Sequence, residues 1–153
     1  PPFLIRLMSR AKIPMRATVK PEERISIQFA DGLREYTLTG QLTACWHHNP
    51  NEGKRHPFTA LIMKAMGLIS GVGDFTFTWG SLELEGNFYR PSGGGHIEMK
   101  FGKGKQTPLQ QDYQSWCELN GVPYVICRTP TEGLDVLKNW KVLDAKVEYK
   151  PMP

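Results

Sequence analysis

Gly73-Asp74-Phe75-Thr76-Phe77-Thr78-Trp79 and His96-Ile97-Glu98-Met99-Lys100-Phe101 decide how this chain is read. Each segment alternates polar and apolar residues, the period of a half-buried strand. In the first, Asp74, Thr76 and Thr78 share a face opposite Phe75, Phe77 and Trp79. In the second, His96, Glu98 and Lys100 share a face opposite Ile97, Met99 and Phe101. Pairing the two strands would bring two carboxylates and one ammonium to a single face. Two neighbouring acids suit a hard divalent cation such as Mg²⁺, which is held by one or two carboxylates together with substrate phosphates. A lysine beside them is a point charge for a phosphate or an activated water.

The flanking sequence supplies helices and further strands. Thr107-Pro108-Leu109-Gln110 carries a cap residue, a proline at the first helical position and a glutamine at the third, which is a capping box. The helix it opens is expected to bury Leu109, Tyr113, Trp116 and Cys117 and to end at Gly121. Val122 to Cys127 reads as a short buried strand. Thr129-Pro130-Thr131-Glu132 repeats the cap pattern ahead of a last helix through Leu134 and Leu137 to Trp140. Upstream, Phe58 to Met66 reads as an amphipathic helix with Phe58, Leu61, Ile62 and Met66 inward, Pro57 in its first turn and Gly67 at its C-cap. Leu33 to Trp46 reads as a helix on Leu38, Leu42 and Cys45, with Glu35 beside the inward stripe. Residues 8 to 31 read as irregular, apart from a strand-like alternation over Ile25 to Phe29 that Asp31-Gly32 breaks. Ser81 to Arg90 reads as another strand, Pro91 to Gly95 as a turn, and Trp46 to His56 as a polar loop. The order of elements gives an α/β fold with a mixed central sheet flanked by helices.

An acid at the start of one strand followed by Glu-x-Lys on the next resembles the signature of PD-(D/E)XK nucleases. The succession His48 to Arg55, Lys64-Ala65-Met66-Gly67, Gly71-Val72-Gly73-Asp74, Glu98-Met99-Lys100 and Thr107 to Gln110 is similar to the virus-type replication-repair nuclease (VRR-NUC) domain, in its small stand-alone phage form. The resemblance covers Leu33 to Trp140, leaving 1–32 as an N-terminal arm and 141–153 as a tail. One departure is Gly73, which stands where the family usually has proline. The resemblance implies a PD-(D/E)XK core and an endonuclease using Mg²⁺ or Mn²⁺, with Asp74, Glu98 and the backbone carbonyl of Met99 as metal ligands. It implies that Lys100 acts on the water, that a glutamate of the first helix, Glu35, joins the metal site, and that Gln110 is an active-site glutamine. For Glu35 a plain surface acid near a helix start is the other reading; for Gln110 the cap is. The implied substrate is branched or double-stranded DNA, resolved at Holliday junctions by a homodimer. Flap cleavage or nicking is the alternative, and a binding module without activity is a further one.

Net charge and composition fit this reading. The chain has 153 residues, 40% of them hydrophobic, and a net charge of +4. That is enough for one core and gives a modest bias toward polyanions. Lys54, Arg55, Lys103 and Lys105 are candidates for contacts with the DNA backbone; ordinary solvated loops have the same composition. No apolar run approaches the roughly 20 residues of a membrane span. Pro1 to Leu7 lacks the features of a signal peptide, and Met8 is a possible native start. The three cysteines, Cys45, Cys117 and Cys127, form no paired framework and point to a cytoplasmic setting. His96-Ile97-Glu98 is also the His-x-Glu of zinc deaminases, but the Pro-Cys-x-x-Cys that chemistry needs is missing. No Gly-x-Ser-x-Gly elbow marks a serine hydrolase.

Overall fold

The computed structural model describes residues 1–50, 55–84 and 88–144. A four-stranded sheet is assembled from β1 (Cys45–His48), β2 (Phe75–Trp79), β5 (Gly93–Met99) and β6 (Tyr124–Cys127), in the order β1-β2-β5-β6. The first two pairings are antiparallel and the last is parallel, so the sheet is mixed. A separate hairpin is formed by β3 (Leu82–Leu84) and β4 (Phe88–Arg90). Among the described residues five helices accompany the strands: α1 (Pro2–Leu7), α2 (Pro21–Leu38), α3 (Pro57–Ala65), α4 (Pro108–Leu119) and α5 (Pro130–Asn139). The expected α/β architecture, a mixed sheet flanked by helices, is what forms. Among the described residues no helix is long and apolar enough to cross a membrane.

The largest departure from the sequence reading is α2. Ile25 to Phe29 is helical, not a strand, and the helix runs through Asp31-Gly32 to end at Leu38 rather than beginning at Leu33. Pro21 occupies its first turn and Glu22 and Glu23 follow, where acids meet the positive end of the helix dipole. Glu23 accepts a hydrogen bond from the Lys20 backbone N–H at 2.9 Å. Phe29, Leu33 and Tyr36, spaced four and three apart, make the buried stripe. The proposed boundary between an arm and a domain at residue 32 therefore falls inside one helix.

One sheet face carries Phe75, Phe77, Ile97, Met99 and Cys127, which pack with α2 and α5 into a single core. The Phe29 ring meets Phe75 edge-on at 5.0 Å. Helix α5 can approach this closely because residue 133 is glycine: a Cβ there would lie 2.7 Å from the Phe29 ring. Val142 and Leu143 join the same core, and Leu143 bridges Leu42, so the first residues of the expected tail belong to the fold. Residues 145–153, the rest of that tail, lie outside the described residues.

Three further expectations are corrected. Trp46 to His48 is an edge strand rather than loop, and the glycines from Gly93 onward are strand rather than turn. Their lack of side chains lets Trp79 lie over Gly93 and Trp140 over Gly95. Helices α3 and α4 start where their caps indicate, yet their apolar faces are not buried. Phe58, Leu61, Ile62 and Met66 are all exposed, as are Leu109 and Trp116, and α4 buries Cys117 alone. The pattern marks an apolar stripe, and nothing else in the described chain covers it.

Candidate active site

The site lies where the ladder of β2 and β5 ends. Phe75 pairs with Ile97 and Thr76 with His96. One step further, the same register sets Asp74 opposite Glu98 on the face away from the core. There the Asp74 side chain takes over from the backbone: its carboxylate accepts a 2.6 Å hydrogen bond from the Met99 N–H. Asn49, just past β1, fixes the approach to Asp74. Its N–H donates to the Asp74 carbonyl, and its amide donates to the Gly73 carbonyl and to Thr76 Oγ1, at 2.7 and 2.8 Å.

Gly71 makes this approach possible. Its φ is 90°, and a Cβ there would lie 2.2 Å from the Leu109 carbonyl oxygen. The loop leading to Asp74 thus presses on the start of α4, and any side chain at position 71 would both strain the backbone and collide.

Glu98 is fully buried. Its Oε2 accepts from the Tyr124 hydroxyl and from Gln106 Nε2, the latter at 3.0 Å. Its Oε1 pairs with Lys100 Nζ at 3.0 Å. Lys100 is itself buried and also reaches Glu22 Oε1 at 3.5 Å. Burial works to lower the Lys100 pKa, but the carboxylates of Glu98, Glu22 and Asp74 outweigh it and raise the group above its ordinary value. Asp74 moves the other way in charge: burial first, then the Glu98 and Glu22 carboxylates, push it up to about 6, against the pull of the Met99 N–H and Lys100. Burial, followed by the Glu98 carboxylate, holds the Tyr124 hydroxyl well above its usual range, so it stays a donor.

The structure therefore brings Asp74, Glu98 and Lys100 together, as the strand period requires. Glu35 is not part of this group. It is exposed near the far end of α2, and the thirteen residues separating it from Glu22 span about 20 Å of helix. The acid that α2 contributes is Glu22, in its first turn. Gln110 makes the capping box with Thr107: its side chain accepts from the Thr107 N–H at 2.8 Å, and its own N–H donates to Thr107 Oγ1. It also lines a cleft of about 720 Å³ that reaches Asp74 and Glu22. The glutamine bonded to Glu98 is Gln106, four residues earlier. Tyr124 was equally invisible as a site residue, since a tyrosine in a buried strand carries no signal of its own; Asn49 lies in the His48 to Arg55 stretch of the resemblance, which assigned it no role.

The candidate DNA contacts divide. Lys103 and Lys105 are exposed on the loop after β5. Arg128 pins that loop by donating to the Gly102 and Gly104 carbonyls at 2.7 and 3.0 Å, and Gly104 sits beside Lys100 and Glu22. Arg55 is half-buried and donates to the Pro50 carbonyl. Lys54 lies outside the described residues.

Whether the residues fit a divalent cation rests on Glu98 Oε1, the carboxylate oxygen that neither Tyr124 nor Gln106 occupies and that faces Lys100, while Asp74 stands opposite. Among the described residues no three His, Cys, Asp or Glu side chains form a closed metal cage. A buried carboxylate facing a half-buried one instead fits an ion that takes only one or two protein carboxylates and keeps part of its water shell, as Mg²⁺ does. No protein-family model, curated protein or solved structure matches this chain.

Proposed function

We propose that this chain is a divalent-metal-dependent DNA endonuclease built on a PD-(D/E)XK core of the VRR-NUC type. The observation that carries the reading is the convergence of Asp74, Glu98 and Lys100 at the end of one ladder, with Glu98 Oε1 turned toward the Lys100 ammonium at 3.0 Å. Asp74 and Glu98 would hold Mg²⁺ or Mn²⁺, with the Met99 carbonyl as a further ligand. The bound ion would neutralise phosphate charge and acidify a water.

The chain's own groups do the rest. Lys100, raised in pKa by its carboxylate neighbours, stays an ammonium at neutral pH. It therefore orients the attacking water and stabilises phosphate charge; it does not take a proton. Glu22 and Glu98 hold that ammonium in place from two sides. Lys103 and Lys105, on the pinned loop beside Lys100, meet the backbone of the strand to be cut. A phosphate contact carries no base information, so DNA shape selects the substrate.

Branched DNA, Holliday junctions first, is the proposed substrate, and a homodimer the proposed assembly. A four-way junction has two strands to cut and one chain offers one site, so a two-fold dimer would supply both. Trp46, Trp79 and Trp140 are half-buried and packed on the core, which leaves them little free for an interface. The exposed face of α3 is the better candidate. The test is nicking of supercoiled plasmid with Mg²⁺ or Mn²⁺. Nicking should vanish in excess chelator and in Asp74→Asn while DNA binding persists. Undiminished nicking in either case would refute the site.

A further inference from the structure

Glu98 is held asymmetrically. Two donors converge on Oε2: the Tyr124 hydroxyl from β6 and the Gln106 amide from the loop before α4. Gln106 is in turn steered by α4, since its Nε2 also donates to Gln114 Oε1 at 2.9 Å, and Gln114 donates to Glu118 at 3.0 Å. Oε1 faces the Lys100 ammonium at 3.0 Å and has no access to solvent. A buried carboxylate needs positive charge beside it, and Lys100 supplies it on the Oε1 side, the side left open to a metal ion.

We propose that Tyr124 and Gln106 are positioning residues that fix Glu98 as a one-oxygen ligand and thereby select Mg²⁺ and Mn²⁺ over Ca²⁺. This rests on the metal-site reading above. The reasoning is geometric. Ca²⁺ is the larger ion, takes six to eight oxygens and readily accepts both oxygens of one carboxylate. Mg²⁺ demands near-octahedral geometry with single oxygens and retained waters. With both lone-pair directions of Oε2 engaged, Glu98 cannot turn its second oxygen to the ion without breaking two hydrogen bonds. Residues behind a ligand commonly tune metal affinity in this way.

The test is titration calorimetry with the metal alone, using MgCl₂, MnCl₂ and CaCl₂ on the wild-type chain, Tyr124→Phe, Gln106→Ala and the double variant. Tyr124→Phe keeps the ring, and Gln106 lies in a loop, so either single variant serves if the double does not fold. Freeing Oε2 should raise Ca²⁺ affinity relative to Mg²⁺ by about tenfold in the double variant and by less in each single one. A merely structural role would weaken all three ions together and leave the ratio alone. An unchanged Mg²⁺ to Ca²⁺ ratio in folded variants would overturn the proposal while leaving the metal site standing. Absence of any divalent binding to the wild-type chain would overturn the site and the proposal together.

Discussion

Burial and acidic neighbours disfavour the ionised form of Asp74. An unfolded aspartate titrates near 4, whereas burial and its acidic neighbours push it up to about 6 here. The folded state therefore binds the proton more tightly than the unfolded one. Stability from this group is fully present below pH 4 and is lost as pH rises toward 6, a loss of about 2–3 kcal/mol at most. The melting temperature of the metal-free protein should accordingly fall between pH 4.5 and 7, and Mn²⁺ should restore it at pH 7 far more than at pH 5. A flat profile in differential scanning fluorimetry would contradict the assigned cause. Asp74→Asn keeps an acceptor for the Met99 N–H and removes the repulsion, so it should be as stable as wild type or more so at pH 7 while losing cleavage. Lys100→Ala is a poorer probe of chemistry. It strands buried Glu98 without its cation, which should cost about 3 kcal/mol and lower urea midpoints sharply. The trio Asp74, Glu98 and Lys100 was legible because strand alternation assigns faces directly. Glu22, Gln106 and Tyr124 were not, because their places depend on how separate elements dock.

Among the elements, the strands and capped helices were the readable part. Thr107 and Thr129 announce α4 and α5, and both accept the cap hydrogen bond, at 3.3 and 3.1 Å. Helix α2 was misread because Ile25, Ile27 and Phe29 alternate like a strand, while the true stripe through Phe29, Leu33 and Tyr36 crosses Gly32. Packing against β2 and α5 decides between the two periods, and packing is not local information. Caps also locate α3 without saying what covers it. The tightest junction between elements is Gly71 on Leu109. Gly71→Ala should destabilise by more than the roughly 1 kcal/mol of an unfavourable φ, because the neighbouring atom is backbone and cannot step aside. It should also loosen Asp74, so weakened Mn²⁺ binding is expected beside a lower urea midpoint. An alanine variant with wild-type stability would contradict the contact.

At the scale of the molecule, charge and shape were partly legible and assembly was not. Lys103 and Lys105 flank the site on a fixed loop, so replacing both with alanine should weaken junction binding at every sequence and lower the salt slope by about 2. Phe58, Leu61, Ile62 and Met66 expose one apolar helix face. If a second copy covers it, Leu61→Glu with Ile62→Glu should give a monomer by light scattering that still nicks plasmid but cuts the two strands of a junction out of step. A wild-type chain that is monomeric and prefers flaps would replace junction resolution with flap cleavage. The nuclease itself is tested most directly by anomalous diffraction from a crystal grown with MnCl₂. The expected result is manganese density bonded to Asp74 and to one oxygen of Glu98, absent in Asp74→Asn crystals. Manganese elsewhere in the lattice with none between these two carboxylates would contradict it.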